Sequence, residues 1–413
     1  MATSNTDQAF KISVSESQIH ELKVKLDLIR FPDELEDAGW AYGSPLKDVQ
    51  RLVAYWKSGY SWREHEKHIN DTLPQFTKDI SVDGFGTLNI HFVHQKSSVQ
   101  NAIPLLFVHG WPGSFLEVTK ILPLLTAASK QYPSFHVVAL SLPGYGFSEA
   151  PKQKGFGLFQ YAEVCNKLMI ELGYTEYVAQ GGDWGYYITR ALGHKFSKNC
   201  RAVHSNMPRG SPPKFIHNPV LFLQHALVPY SEAEKAGFAR SAWFLGPGFG
   251  YRQQQSTQPQ TLGYSLSDSP AGLLAWIYEK LRNWTDDYRW TDDEILTWVS
   301  IYWFSRAGPA ATTRIYYEVE TAKERDIITK PINNIPLGFS YFPRELVVTP
   351  RSWARTLGNV VFESTHASGG HFAAHEKPTI LVDDIRQMFG KGGPANHVIP
   401  HKSGFDHGLK AKL

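Results

Sequence analysis

Gly181-Gly182-Asp183-Trp184-Gly185 sets a carboxylate among glycines where an apolar run, Tyr177 to Gln180, meets a helix-forming one, Tyr186 to Phe196. Strand, tight turn and helix make the form of a nucleophile elbow. The turn lifts one side chain above a sheet and needs small residues where backbones crowd. Serine is the usual residue at the tip; here it is Asp183. A carboxylate that attacks carbon forms an alkyl ester, which suits a substrate with an electrophilic sp³ carbon and disfavours peptides and esters. The plainer reading is a glycine-rich turn that exposes an aspartate.

An alkyl ester on the chain persists unless a base brings water to it. Gly369-Gly370-His371-Phe372 falls just after the last strand-like segment, and its paired glycines allow a tight loop that aims an imidazole toward the elbow. His371 is the expected general base, with His366 and His375 as nearby competitors. An acid that orients the base should follow the preceding strand. Glu345 in Phe342-Pro343-Arg344-Glu345 is the nearest candidate, its alternative being a solvated glutamate in the first turn of a following helix. The chain order nucleophile, acid, base is then Asp183, Glu345, His371, as in α/β-hydrolases. Asp383 and Asp384 come after the histidine and fit that order poorly.

His109-Gly110-Trp111-Pro112 ends another strand where an oxyanion loop belongs, with an X-Pro bond that is open to the cis form. The backbone amides of Trp111 and Trp184 are expected to receive the oxyanion formed as water attacks the ester. The side chains of Trp111, Trp184 and Phe115 are expected to line the substrate pocket.

These residues need a sheet to position them. Alternating or apolar segments at Leu88–His94, Pro104–Val108, Phe135–Leu142, Tyr177–Gln180 and Arg201–Ser205 are separated by helix-length stretches at Ser114–Ala128 and Leu158–Leu172. That rhythm predicts a doubly wound, mostly parallel sheet with helices on both faces. It stops after Met207 and resumes at Ile335–Tyr341 and Val360–Ser364, so the sheet brackets an insertion rich in Pro, Gly, Trp and Tyr, with helices at Pro270–Trp284 and Thr291–Trp303. The expected organisation is a helical N-terminal region (1–80), a first core part (81–207), a helical lid (208–325), a second core part (326–392) and a C-terminal tail (393–413). In the N-terminal region Ser15 and Gln18 are spaced as a capping box for a helix from Glu16 to Ile29, and Pro45–Ser58 reads as a second amphipathic piece.

Composition narrows the function classes. A net charge of +3 over 413 residues, without a Lys/Arg run, gives nothing to track phosphates, so nucleic acid is not an expected partner. Cys165 and Cys200 fall in a helix and a strand and do not suggest a disulfide framework. The sequence shows no apolar span for a membrane and no signal-peptide core, so a soluble, cytoplasmic protein is expected. The ending Ala411-Lys412-Leu413 differs by one residue from a Ser-Lys-Leu peroxisomal address, which makes peroxisomes the alternative location. His65 and His68 share a helix face without an evident third ligand, and no metal or other cofactor is expected. A homodimer is the default assembly.

Taken together, HGWPGSF at 109–115, GGDWG at 181–185, Gly250-Tyr251-Arg252-Gln253 with LSDSPAGL at 266–273, Arg314-Ile315-Tyr316, GFSYFPREL at 338–346 and GGHFAAHEKP at 369–378 resemble the microsomal-type epoxide hydrolase family. The resemblance runs from the helical N-terminal region to about residue 390. It implies a hydrophobic epoxide and water as reactants, and two lid tyrosines, here Tyr251 and Tyr316, that give hydrogen bonds to the epoxide oxygen. Tyr317 is an adjacent alternative to Tyr316. Membrane-bound relatives carry an N-terminal anchor, which is not carried over. A haloalkane dehalogenase would use the same Asp elbow but has no need of phenols, because halide leaves without a proton. A non-catalytic binding module would have no need of the Asp, Glu and His together.

Overall fold

The computed structural model describes residues 7–406. Among the described residues nine strands are formed: β1 (Gln8–Phe10), β2 (Gln75–Val82), β3 (Gly86–Gln95), β4 (Ile103–Val108), β5 (Phe135–Leu140), β6 (Tyr177–Gly181), β7 (Cys200–Ser205), β8 (Ile332–Tyr341) and β9 (Gly358–Thr365). They make one sheet in the order β1-β2-β3-β5-β4-β6-β7-β8-β9. From β5 to β9 every pairing is parallel, and from β1 to β5 the pairings through β2 and β3 are antiparallel. Strands β4 and β6 at the centre are buried along their whole length. Helices cover both of their faces, which is why they read as unbroken apolar runs and not as alternating ones.

The elbow lies at the carboxyl end of central β6, and residues 109–112, the expected oxyanion loop, at the same end of its neighbour β4. The lid enters between β7 and β8, which remain parallel neighbours. Inserting over a hundred residues there leaves the sheet intact and puts the extra helices above the strand ends that carry the chemistry. Helix Pro270–Trp284 spans the expected residues. The other expected lid helix forms as Asp292–Trp303, capped by Thr291 with a full capping box to Glu294. Cys165 and Cys200 are free and buried.

Two expectations need correction. The N-terminal region is not helical throughout. Helices Glu16–Asp27, with its Ser15–Gln18 capping box, and Leu46–Ser58 form there, but β1 and β2 extend the sheet beyond β3. Strand β2, QFTKDISV, carries a lysine in its middle that hid its alternation. Lys78 is buried and its ammonium pairs with Asp7 at 3.0 Å. Ser114–Ala128 is likewise not one helix but a 3₁₀ turn, Phe115–Val118, and a short helix, Leu122–Thr126. Pro123 lacks an amide and its ring would meet the carbonyl of the preceding turn, so a helix can start beside it but not run through it. The tripeptide Ala411–Leu413 lies outside the described residues. Among the described residues no helix is long and apolar enough to cross a membrane.

Candidate active site

Asp183 takes φ +50° and ψ −124°, a conformation that non-glycine residues rarely adopt, at the junction of β6 and helix Trp184–Lys195. The surrounding glycines are required by space. A β-carbon at Gly181 would overlap the Gly185 backbone, one at Gly185 would overlap the Val108 carbonyl, and one at Gly110 would overlap the Asp183 side chain. The carboxylate therefore stands above the sheet with the oxyanion loop pressed against it. There the Trp111 amide donates to Asp183 Oδ1 at 2.8 Å. Trp184, first in its helix, has an amide without an intrahelical acceptor, as helix geometry dictates. The lid fixes the loop from above. From helix Asp292–Trp303, the Trp298 indole donates to the Pro112 carbonyl and the Tyr302 hydroxyl to the Gly113 carbonyl at 2.7 Å. The Trp111–Pro112 peptide is cis.

His371 reaches the same point from the loop after β9. Gly369 takes φ +115°, the Gly370 amide donates to Glu376, and the His371 amide donates to the Trp284 carbonyl at 2.8 Å. Its Nε2 lies 3.5 Å from Asp183 Oδ2, and its Nδ1 meets Glu345 Oε1 at 2.5 Å. The Leu346 amide donates to the same Glu345 oxygen at 2.6 Å, so the acid is itself held. Burial pulls the imidazole pKa down, but the charge of Glu345 and the hydrogen bond to Asp183 outweigh it, and the net shift is upward, to about 10. The competing histidines are engaged elsewhere. His366 is bound to Asp384 at 2.6 Å, and His375 is stacked on Trp290 and bound to Glu294 at 3.1 Å.

Above Asp183 the lid lays an aromatic roof. Tyr251 stacks on Trp111 at 5.2 Å between ring centroids, and Tyr316 stands edge-on to Trp111 at 5.8 Å and to Trp184 at 4.7 Å. Trp284 packs against both Trp111 and His371. Tyr316 is 2% exposed and Tyr317 38%, so on helix Arg314–Ala322 it is Tyr316 that turns inward. The Tyr316 hydroxyl is buried without a well-formed hydrogen bond among the described residues. Burial, reinforced for Tyr251 by the charge of Asp183 and for Tyr316 by Tyr251 and Asp183, raises both phenols far above their ordinary range and keeps them protonated. Phe115 does not join this lining. It is fully buried against His91 and Phe147, because the 3₁₀ turn it begins points its ring down into the core.

The sequence reading missed Glu117, Gln180 and Asn206, which with Asp183 and His371 line a cavity of about 10 Å³ beneath the roof. The available signal was a charged residue inside the apolar run Phe115-Leu116-Glu117-Val118. Among the described residues no cluster suited to hold a metal is found.

The chain matches the family described as "Epoxide hydrolase N terminus" over residues 7–118 and the "alpha/beta hydrolase fold" over residues 103–238. It is 33% identical to "Epoxide hydrolase 1" of Sus scrofa, a match covering 92% of this chain and 88% of the relative. The chain belongs to the epoxide hydrolases. Solved structures agree. The epoxide hydrolase of Aspergillus niger is 36% identical with a TM-score of 0.79 over 92% of this chain and 95% of that one. The juvenile hormone epoxide hydrolase of the silkworm Bombyx mori is 32% identical with a TM-score of 0.83 over 92% and 93%. In this epoxide hydrolase, then, the fold and the reaction are those of an α/β-hydrolase that adds water to an epoxide.

Proposed function

We propose that this epoxide hydrolase opens hydrophobic epoxides to vicinal diols in two steps through an ester on Asp183. The observation that supports this most is the Asp183 carboxylate held by the Trp111 amide with the His371 imidazole 3.5 Å from its other oxygen. In the first step Asp183 Oδ attacks an oxirane carbon, the C–O bond breaks, and the oxygen takes a proton from Tyr251 or Tyr316. An alkoxide is too basic to leave unaided near neutral pH, and a phenol of pKa about 10 or higher can supply a proton without ionising beforehand.

Esterification removes the charge of Asp183, one of the two partners that hold the proton on His371. The imidazole pKa falls at that moment, and the proton it gives up restores the phenol. His371 is then neutral and, oriented by Glu345, takes a proton from water while the hydroxide attacks the ester carbonyl. The Trp111 and Trp184 amides receive the oxyanion. On collapse the departing alkoxide takes the proton of the hydroxyl just added, which releases the diol and returns Asp183 as a carboxylate beside a protonated His371, so the cycle closes without a net proton.

The phenols favour epoxides over haloalkanes, since halide needs no acid. The aromatic roof favours apolar substrates, whether styrene oxide or an aliphatic lipid epoxide. Product chromatography after incubation with both, and with a haloalkane, should show diol from the wild type and none from Asp183→Ala. Halide release with no diol would replace this reading by the dehalogenase one.

A further inference from the structure

The oxyanion loop carries two glycines whose missing side chains make room for two carboxyl groups. A β-carbon at Gly110 would overlap Asp183, and one at Gly113 would overlap Glu117 Oε1. Asp183 is the nucleophile of the reading above, whereas Glu117 has no part in it. Both groups look into the same cavity, where only Glu117, Gly182 and Asp183 of the lining residues are other than fully buried. At about 10 Å³ the cavity has room for roughly one water, and such a site holds water only where polar partners surround it. It has them. His371 lines one side, and Gln180, 1% exposed, lines another with its Oε1 buried and without a hydrogen-bond partner among the described residues. The Gln180 amide nitrogen is fixed on Asn206 Oδ1 at 2.9 Å, and Asn206 Nδ2 lies 3.5 Å from the His371 carbonyl. The amide is thus not free to rotate its oxygen away.

Resting on the two-step reading, we propose that Glu117 and Gln180 hold the water that His371 activates, and that Glu117 acts in ester hydrolysis and not in ring opening. One proton of the water goes to His371 Nε2 and the other is accepted by Gln180 Oε1. The carboxyl of Glu117 donates to the lone pair not used for attack, which leaves one lone pair facing the ester carbonyl of Asp183. The carboxyl has a proton to donate. Burial pushes its pKa up to about 8, with the charge of His371 opposing and that of Asp183 adding to the shift. No bond to Glu117 is made or broken.

The test is a single turnover of wild type, Glu117→Leu and Glu117→Gln with enzyme in excess of styrene oxide, following the Asp183 ester by intact mass. Ester should form at the wild-type rate in both variants. Its decay should slow by about 10²-fold in Glu117→Leu, the scale of a mispositioned reactant, and much less in Glu117→Gln, whose amide also donates. Decay at the wild-type rate in Glu117→Leu, or formation and decay slowed together, would overturn the proposal. If Glu117→Leu does not fold, Gln180→Met must show the same selective loss of decay, and unaltered decay there counts equally against it. A wild type that forms no ester at all would instead remove the covalent reading on which the proposal stands.

Discussion

At the scale of single residues the proposed mechanism separates two proton tasks between two kinds of group. Buried phenols stay protonated and, in that mechanism, serve ring opening, whereas an imidazole flanked by two carboxylates would change its proton affinity as one of them is esterified. Tyr251→Phe and Tyr316→Phe should each slow ester formation, by on the order of 10²-fold, and leave ester decay alone. Rapid-quench measurement of both phases would show it, and equal loss in the two phases would count against the assignment. The upward shift of His371 also has a sign in stability. A group with a raised pKa in the folded state stabilises the fold fully below its unfolded value, about 6.5, and loses that contribution as pH rises toward about 10. The stability gap between wild type and His371→Gln in urea melts should therefore be widest at pH 6 and shrink toward pH 10.

The placement of the candidate site residues was the most legible part of the chain. Asp183, Glu345 and His371 follow the order that the fold imposes, and the structure brings the three together. Tyr316 was separable from Tyr317 only by the helix that buries one and exposes the other. Glu117 showed in the sequence only as a charge inside an apolar run, and that Gly113, four residues earlier, leaves space for its carboxyl appears only in the fold.

At the scale of elements, capping and breaking residues decide where helices begin. Thr291 and Glu294 form a reciprocal cap on helix Asp292–Trp303, whose Trp298 and Tyr302 hold the oxyanion loop. Thr291→Ala should cost about 1 kcal/mol of stability, read as a lower thermal midpoint, with the reaction retained. An unchanged midpoint would mean that lid packing alone holds the helix. The capping box at Ser15 was legible for the same reason, as an acceptor and a donor at fixed spacing. Strands β1 and β2 were not, because a strand at the side of a sheet draws its order from partners distant in sequence. β2 pairs with β3 across a short turn, but the burial of Lys78 depends on Asp7, 71 residues away.

At the scale of the molecule, a sheet interrupted between β7 and β8 carries a lid whose Tyr251 and Tyr316 rings pack on Trp111 and Trp184, the two residues whose backbones flank Asp183. The cavity beside Asp183 has room for about one water, and above it the rings of Trp111, Tyr251, Tyr316 and Trp284 pack on one another. Trp284 is central to that roof, touching Trp111, Tyr251, Phe244 and His371. Trp284→Ala should lose about 3–5 kcal/mol of stability and shift preference toward bulkier epoxides. An unaltered ratio of kcat/KM for a bulky over a small epoxide would show that the roof does not limit entry.

In the proposed mechanism the first oxygen delivered to the epoxide comes from Asp183 and not from solvent. A single turnover in ¹⁸O water with enzyme in excess, followed by mass analysis of the diol, tests it directly. Unlabelled diol in that first turnover, with ¹⁸O retained in the Asp183 carboxylate, is the expected result; labelled diol would mean that water attacks the epoxide itself and that no ester forms.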